Sequence, residues 1–151
     1  MARFDITELI NGVLQSSSIM AAQKKVNISF YNEGPVYVWG DEFKVEEVIT
    51  NYLTNAMNHA DGERRIEIRF SFHDNLVRTS VFNTGDPIPE EDIDKIWVKF
   101  YKVDKARTRE YGGSGIGLSI VKAIMDSFHQ KCGVINHEDG VEFWMELETH
   151  S

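Results

Sequence analysis

Two polar clusters in this chain have residue types and spacings suited to chemistry. Asn51, Asn55 and Asn58 recur at i, i+4 and i+7, with Glu47 one turn earlier. At about 100° of turn per residue, a helix would carry all four on one face. Asparagine is a poor helix former, costing up to about 0.7 kcal/mol relative to alanine, so three on one face is an odd choice for a merely solvated surface. A side-chain amide oxygen is also a hard ligand for Mg²⁺, which usually completes its shell with water and nucleotide phosphates. The second cluster is YGGSGIGLSIVKAIM, Tyr111 to Met125, which opens with four glycines in seven residues and continues as an apolar helix. Glycines at a helix start let backbone N–H groups approach an anion, and the helix dipole favours negative charge there.

Two neighbouring features bear on the same chemistry. Six of the 16 basic residues, Lys95, Lys99, Lys102, Lys105, Arg107 and Arg109, fall just before the glycine run. Alone they read as a solvated loop; beside a phosphate they would offset its charge. The stretch VFNTGDPIP, Val81 to Pro89, ends a strand at Asn83 and turns at Thr84-Gly85-Asp86. It is an ordinary turn signal, or a polar strand end meeting a planar ligand edge. The glycine run is not a P-loop, because G-x-x-x-x-G-K-[S/T] is absent. Nor is it a dinucleotide fingerprint, because its glycines follow a charged segment instead of a strand.

The elements that must position these residues follow from periodicity. FDITELINGVLQSSSIMAAQKK carries Ile6, Leu9, Ile10, Val13 and Leu14 at helical spacing, with Asp5 or Thr7 as cap. VNISFYN and PVYVWG read as a hairpin around Asn32-Glu33-Gly34-Pro35. Asp41 to Ala60 is a long amphipathic helix whose apolar arc holds Val45, Val48, Ile49, Tyr52, Leu53, Ala56 and Met57. RRIEIRFSFHDN and LVRTSVFN are strands joined at His73-Asp74-Asn75. PEEDIDKIWVKFY has a helix-start pattern, IGLSIVKAIMDSFHQ is a helix, and KCGVINHEDGVEFWMELE is a hairpin turning at Glu138-Asp139-Gly140. Hairpin strands mixed with separate helices predict an α+β fold, a sheet covered by helices on one face.

Composition narrows the class. The chain has 151 residues, 42% hydrophobic and 26% charged, and suits a single domain over residues 1–151. A net charge of −8 argues against a nucleic-acid partner. The single cysteine, Cys132, excludes an intrachain disulfide and suits a reducing, cytoplasmic setting. No apolar run reaches the roughly 20 residues of a membrane span, so direct membrane contact is not expected of this stretch.

Taken in order, NYLTNAMNHA, FNTGDPIP, IWVKFYKVDKARTR and YGGSGIGLSIVK resemble the N, first glycine, F and second glycine boxes of sensor histidine kinases of two-component systems. The resemblance covers nearly the whole chain. It implies the catalytic and ATP-binding domain of the Bergerat (GHKL) type, a two-layer α/β sandwich with a mixed, mostly antiparallel sheet and helices on one face. It also implies ATP and Mg²⁺ as ligands. Asn55 matches the metal-coordinating asparagine, and Asn51 the one that helps hold the phosphates. Asn58 stands where many members carry a phosphate-contacting lysine, and His59 where an aromatic packs near the nucleotide. Asn83 replaces the aspartate that accepts from the adenine amino group; Gly85 and Ile88 belong to the same box, in which Pro87 replaces a second glycine. Phe100, Tyr101 and Lys102 fall in the F box, with Lys102 where arginine is common and a catalytic role implied. Gly113, Gly115, Ile116, Gly117 and Leu118 fall in the second glycine box, the glycines facing phosphate. Lys99 through Gly112 would form a lid.

The activity implied is transfer of the γ-phosphoryl group to a histidine on a separate dimerisation domain, with a response regulator downstream. None of His59, His73, His129, His137 and His150 lies in an H-E-x-x-x-P-like segment. The chain is therefore expected to be a fragment of a longer, membrane-anchored receptor. Two alternatives stay open: a GHKL ATPase or anti-sigma-factor serine kinase, which would carry glutamate at Asn51 as general base, and a degenerate domain serving as a nucleotide-sensing or interaction module.

Overall fold

The computed structural model describes residues 1–98 and 117–149. In chain order the elements are β1 (Ala2–Asp5), α1 (Ile6–Ser16), α2 (Ser18–Lys24), β2 (Asn27–Phe30), β3 (Tyr37–Gly40), α3 (Glu42–His59), β4 (Arg65–His73), β5 (Leu76–Thr84), a 3₁₀ turn at Glu90–Asp92, α4 (Gly117–Ser127), β6 (Cys132–His137) and β7 (Gly140–Glu148). Five strands form one sheet in the order β2-β4-β5-β7-β6. Only the β2–β4 pair is parallel. The expected mixed, mostly antiparallel sheet is therefore present.

Period-2 patterning decides which face is core. Along β5, Val77, Thr79, Val81 and Asn83 are buried and face Leu147, Met145, Phe143 and Val141 of β7. Their neighbours Arg78, Ser80 and Phe82 lie on the opposite, uncovered face. There Arg78 sits 3.7 Å above the Trp144 ring and pairs with Glu146 at 2.9 Å. On the core face the buried arc of α3 includes Val45, Val48, Ile49, Tyr52, Leu53, Ala56 and Met57, as its periodicity requires, and Val121 and Met125 of α4 join the same core. The Tyr52 hydroxyl, the one polar atom on that arc, donates to the Trp144 carbonyl at 2.8 Å.

Three expectations need correction. VNISFYN and PVYVWG do not form a hairpin: β2 pairs with β4, while β3 pairs antiparallel with β1, a strand the sequence reading missed. The reason lies in the N-terminal segment. The Asp5 carboxylate caps α1 through Thr7 N (3.0 Å) and Glu8 N (3.3 Å) and also accepts from Val36 N at 3.2 Å. Ile6 N donates to the Val36 carbonyl and Thr7 Oγ1 to the Gly34 carbonyl. These bonds draw β3 to the N-terminal strand. The first helix breaks at Ser17 into α1 and α2, within a run of three serines that compete for backbone hydrogen bonds. Up to Val98, the segment after Pro89 is a 3₁₀ turn and further turns instead of an α-helix. Ile96 is nonetheless buried, and Trp97 meets Phe143 edge-on at 5.9 Å. The β4–β5 and β6–β7 hairpins, α3 and α4 stand as expected.

Candidate functional site

The candidate site runs along the C-terminal half of α3, which meets the start of α4 at Asn51 and the end of β5 at His59. Asp41 caps α3, accepting from Phe43 N at 3.1 Å and Lys44 N at 3.3 Å. The asparagine face is not uniformly wet. Asn55 is only 2% exposed and His59 6%, while Asn51 and Asn58 are half-buried. An amide at the depth of Asn55 is placed to serve something other than bulk water.

Asn51 shows how two sequence-distant boxes meet. Its Nδ2 donates to the Glu47 carbonyl at 2.9 Å, which leaves Oδ1 turned outward from its own helix turn. A Cβ placed on Gly117, the first residue of α4, would sit 3.2 Å from that Oδ1. The α4 N-terminus therefore backs directly onto the asparagine face, and a glycine at this point permits the approach.

Asn83 occupies the last inward-facing position of β5, where the alternation calls for an aliphatic side chain. It is 1% exposed. Its Nδ2 donates to the Thr84 carbonyl at 3.0 Å, and its buried Oδ1 has no hydrogen-bond partner among the described residues. A buried, unsatisfied acceptor costs about 1–3 kcal/mol, which makes Asn83 a candidate to accept from a ligand donor. Around it the backbone is tightly held. Thr84 Oγ1 donates to the Asp61 carbonyl at 2.9 Å and accepts from Arg65 N at 2.9 Å, while Asp61 N donates to the Thr84 carbonyl at 2.9 Å. Gly85 follows at φ +145°, and a Cβ there would lie 2.9 Å from the His59 carbonyl. Only glycine fits this junction of β5 with the end of α3.

The exit of the loop is anchored by a residue the sequence reading missed. Asn136 of β6 accepts from Ile88 N at 2.9 Å and donates to the Ile88 carbonyl at 2.8 Å. A lone asparagine in a hairpin strand gave no signal of this role. Ile88 and Leu118 are themselves buried in the hydrophobic core, at 1% and 5% exposure. Asn58 and His59 border a polar recess of about 540 Å³ with Lys24, Asp61, Arg64 and Asp86 on its rim. A larger hollow of about 800 Å³, lined by Phe30, Tyr31, Phe70 and Phe72, holds none of the candidate residues. Phe100, Tyr101, Lys102, Gly113, Gly115 and Ile116 lie outside the described residues.

Among the described residues, neither Cys132 nor Tyr52 is poised as a nucleophile. Burial raises the Cys132 thiol above its ordinary 9.0 and Tyr52 well above 10.0, so both stay protonated at neutral pH. Among the histidines, His73 bonds Ser71 Oγ at 2.9 Å, His137 bonds Glu142 at 2.8 Å and His129 sits at φ 57° just after α4. No described helix is long and apolar enough to cross a membrane.

Comparison with known proteins gives this geometry a lineage. Residues 40–151 match the family described as "Histidine kinase-, DNA gyrase B-, and HSP90-like ATPase". The sensor protein kinase WalK of Staphylococcus epidermidis is 34% identical over 125 residues, which is 82% of this chain and 20% of that protein. This chain thus spans about a fifth of that curated relative. The nucleotide-free catalytic domain of histidine kinase ThkA superposes with a TM-score of 0.84 at 30% identity, covering 98% of this chain and 95% of that one. ThkA in a complex with the response regulator protein TrrA matches at a TM-score of 0.81 and 28% identity, covering 99% of this chain and 42% of that one. The chain belongs to the histidine kinase-, DNA gyrase B- and HSP90-like ATPase family, with the fold of a histidine kinase catalytic domain.

Proposed function

We propose that this chain is a single catalytic domain of a sensor histidine kinase, holding MgATP and passing its γ-phosphoryl group to a histidine on a separate dimerisation domain. The observation that carries the proposal is the juncture of Asn51 with Gly117. It sets an amide, tied back to its own helix, against the glycine-led start of α4. At that position a water-activating relative would need a carboxylate. An amide takes no proton at neutral pH, so hydrolysis is disfavoured while phosphate binding is retained.

The buried residues fit such a ligand. The unsatisfied Asn83 Oδ1 would accept from the adenine amino group, and Gly85 removes the side chain that would crowd that corner. Asn55 would offer its amide oxygen to Mg²⁺, whose bound charge would help stabilise the phosphates during transfer. Asn51 and Asn58 would orient the phosphate chain from the same helix face, with His59 packed beside the nucleotide. Lys102, Gly113, Gly115 and Gly117 would complete the phosphate side. The protein's contribution is positioning and charge stabilisation, because the covalent change is confined to the phosphoryl group, its leaving oxygen and the acceptor nitrogen. The name of WalK, a sensor protein kinase, and the ThkA–TrrA complex support a sensor receptor with a response regulator downstream; use of ATP would set the domain on the cytoplasmic side.

Calorimetric titration with MgATP, followed by incubation of γ-labelled ATP with the receptor's histidine-bearing dimerisation domain, tests the reading. Saturable binding and an acid-labile phosphoramidate are expected. Absence of binding at millimolar nucleotide would show an interaction module instead. Rapid phosphate release without any acceptor would show an ATPase.

A further inference from the structure

We infer that the outer stripe of α3 leading to Asn51 is the docking track for the phosphoacceptor, and that it receives a basic, amphipathic helix. The inference rests on the kinase reading above. Phe43, Glu46, Glu47, Thr50 and Asn51 follow at i, i+3, i+4, i+7 and i+8, a single helical stripe. With Ile120 of α4 they bound an open hollow of about 330 Å³. Phe43 is 83% exposed in the first turn, a large ring held in water with no packing role in its own domain. Glu46 and Glu47 are exposed and form no ion pair with any described residue.

Two arguments identify the occupant. The first is reach. In the transfer step the P–O bond to the leaving diphosphate breaks and an N–P bond to the acceptor imidazole forms, so that imidazole must arrive in line with the phosphoryl group. Its carrier must therefore pass close to Asn51, and Phe43 lies only about 12 Å from Asn51 along the helix axis, roughly two turns. A partner helix crossing there meets the ring and the reaction centre together. The second is charge. Two unpaired carboxylates beside an exposed aromatic ring complement a partner with cationic residues flanking an apolar anchor.

The track is tested with Phe43→Ser and Glu46→Lys, two exposed positions outside the nucleotide site, in the chain as it stands. MgATP affinity is measured by calorimetry. Initial rates of histidine labelling are measured against increasing concentration of the receptor's dimerisation domain. Each variant is expected to need roughly tenfold more acceptor for half-maximal rate, with MgATP affinity within about twofold of the parent. Raising the salt should weaken acceptor use by the parent chain more than by Glu46→Lys. Unchanged half-saturation in both variants would overturn the inference while leaving the kinase reading intact. A parallel loss of MgATP affinity would instead assign the stripe to the nucleotide site and also overturn it. A parent chain that binds no nucleotide or labels no histidine would remove the kinase reading, and the docking track with it.

Discussion

Base selection is where the structure makes its sharpest demand. Asn83 could in principle present either end of its amide, accepting from an amino group or donating to a carbonyl. Here its Nδ2 is held by the Thr84 carbonyl at 3.0 Å, so Oδ1 is the end left for a ligand. Reversing the amide would break that bond, at about 0.5–1.5 kcal/mol net, and would set two carbonyl oxygens face to face in a buried position. In the proposed pose, a nucleotide whose base carries an amino group at C6 would satisfy the orphan. One with only hydrogen there leaves it unsatisfied, and one with a carbonyl there opposes it with a second acceptor. The purine series ATP, purine riboside triphosphate and ITP should therefore bind with decreasing affinity. From the cost of an unsatisfied buried acceptor, about 1–3 kcal/mol, ATP should exceed ITP by roughly 5- to 150-fold. Titration calorimetry with Mg²⁺ in excess measures all three. ITP binding as tightly as ATP would refute the argument, showing that the amide turns freely or does not meet the base. Asn83→Asp is not the simple gain that an added charge suggests. Its carboxylate would lose the donor that holds the Thr84 carbonyl and would face that oxygen instead, so the variant should unfold at lower urea concentration than the parent.

Three further outcomes follow. Gly85→Ala places a Cβ 2.9 Å from the His59 carbonyl at φ +145° and should cost about 1–3 kcal/mol, read as a lowered urea midpoint; an unchanged midpoint would show that the junction relaxes. Asn55→Ala should abolish the Mg²⁺ dependence of ATP binding while circular dichroism stays that of the parent, and persistence of that dependence would mean the metal is held elsewhere. Tyr52 has its pKa raised chiefly by burial, with the neighbouring Cys132 adding to it. Above about pH 10 the unfolded phenol loses its proton while the folded one keeps it, so stability should fall as pH rises through that range. Tyr52→Phe should lose about 1 kcal/mol at neutral pH through the Trp144 carbonyl bond and show a shallower alkaline decline; an equally steep decline would place its cause in another group.

The order and spacing of Asn51, Asn55, Asn58, Asn83 and the glycines from Gly112 to Gly117 were legible in the sequence, as were α3, α4 and the two hairpins closed at Asp74-Asn75 and Glu138-Asp139. Such features depend on side-chain period, helix caps and turn chemistry, which act over a few residues. What the linear chain could not disclose was partnership. The choice of β1 over β2 as the partner of β3 goes with contacts of the N-terminal segment about 30 residues away, from Asp5 and Ile6 to Val36 and from Thr7 to Gly34. The burial of Asn55, the amide orientation of Asn83, the Asn136 brace on Ile88 and the approach of Gly117 to Asn51 all arise between segments distant in sequence. They depend on which surfaces meet after the core has closed, and only the tertiary structure selects among the contacts that local pattern leaves equally allowed.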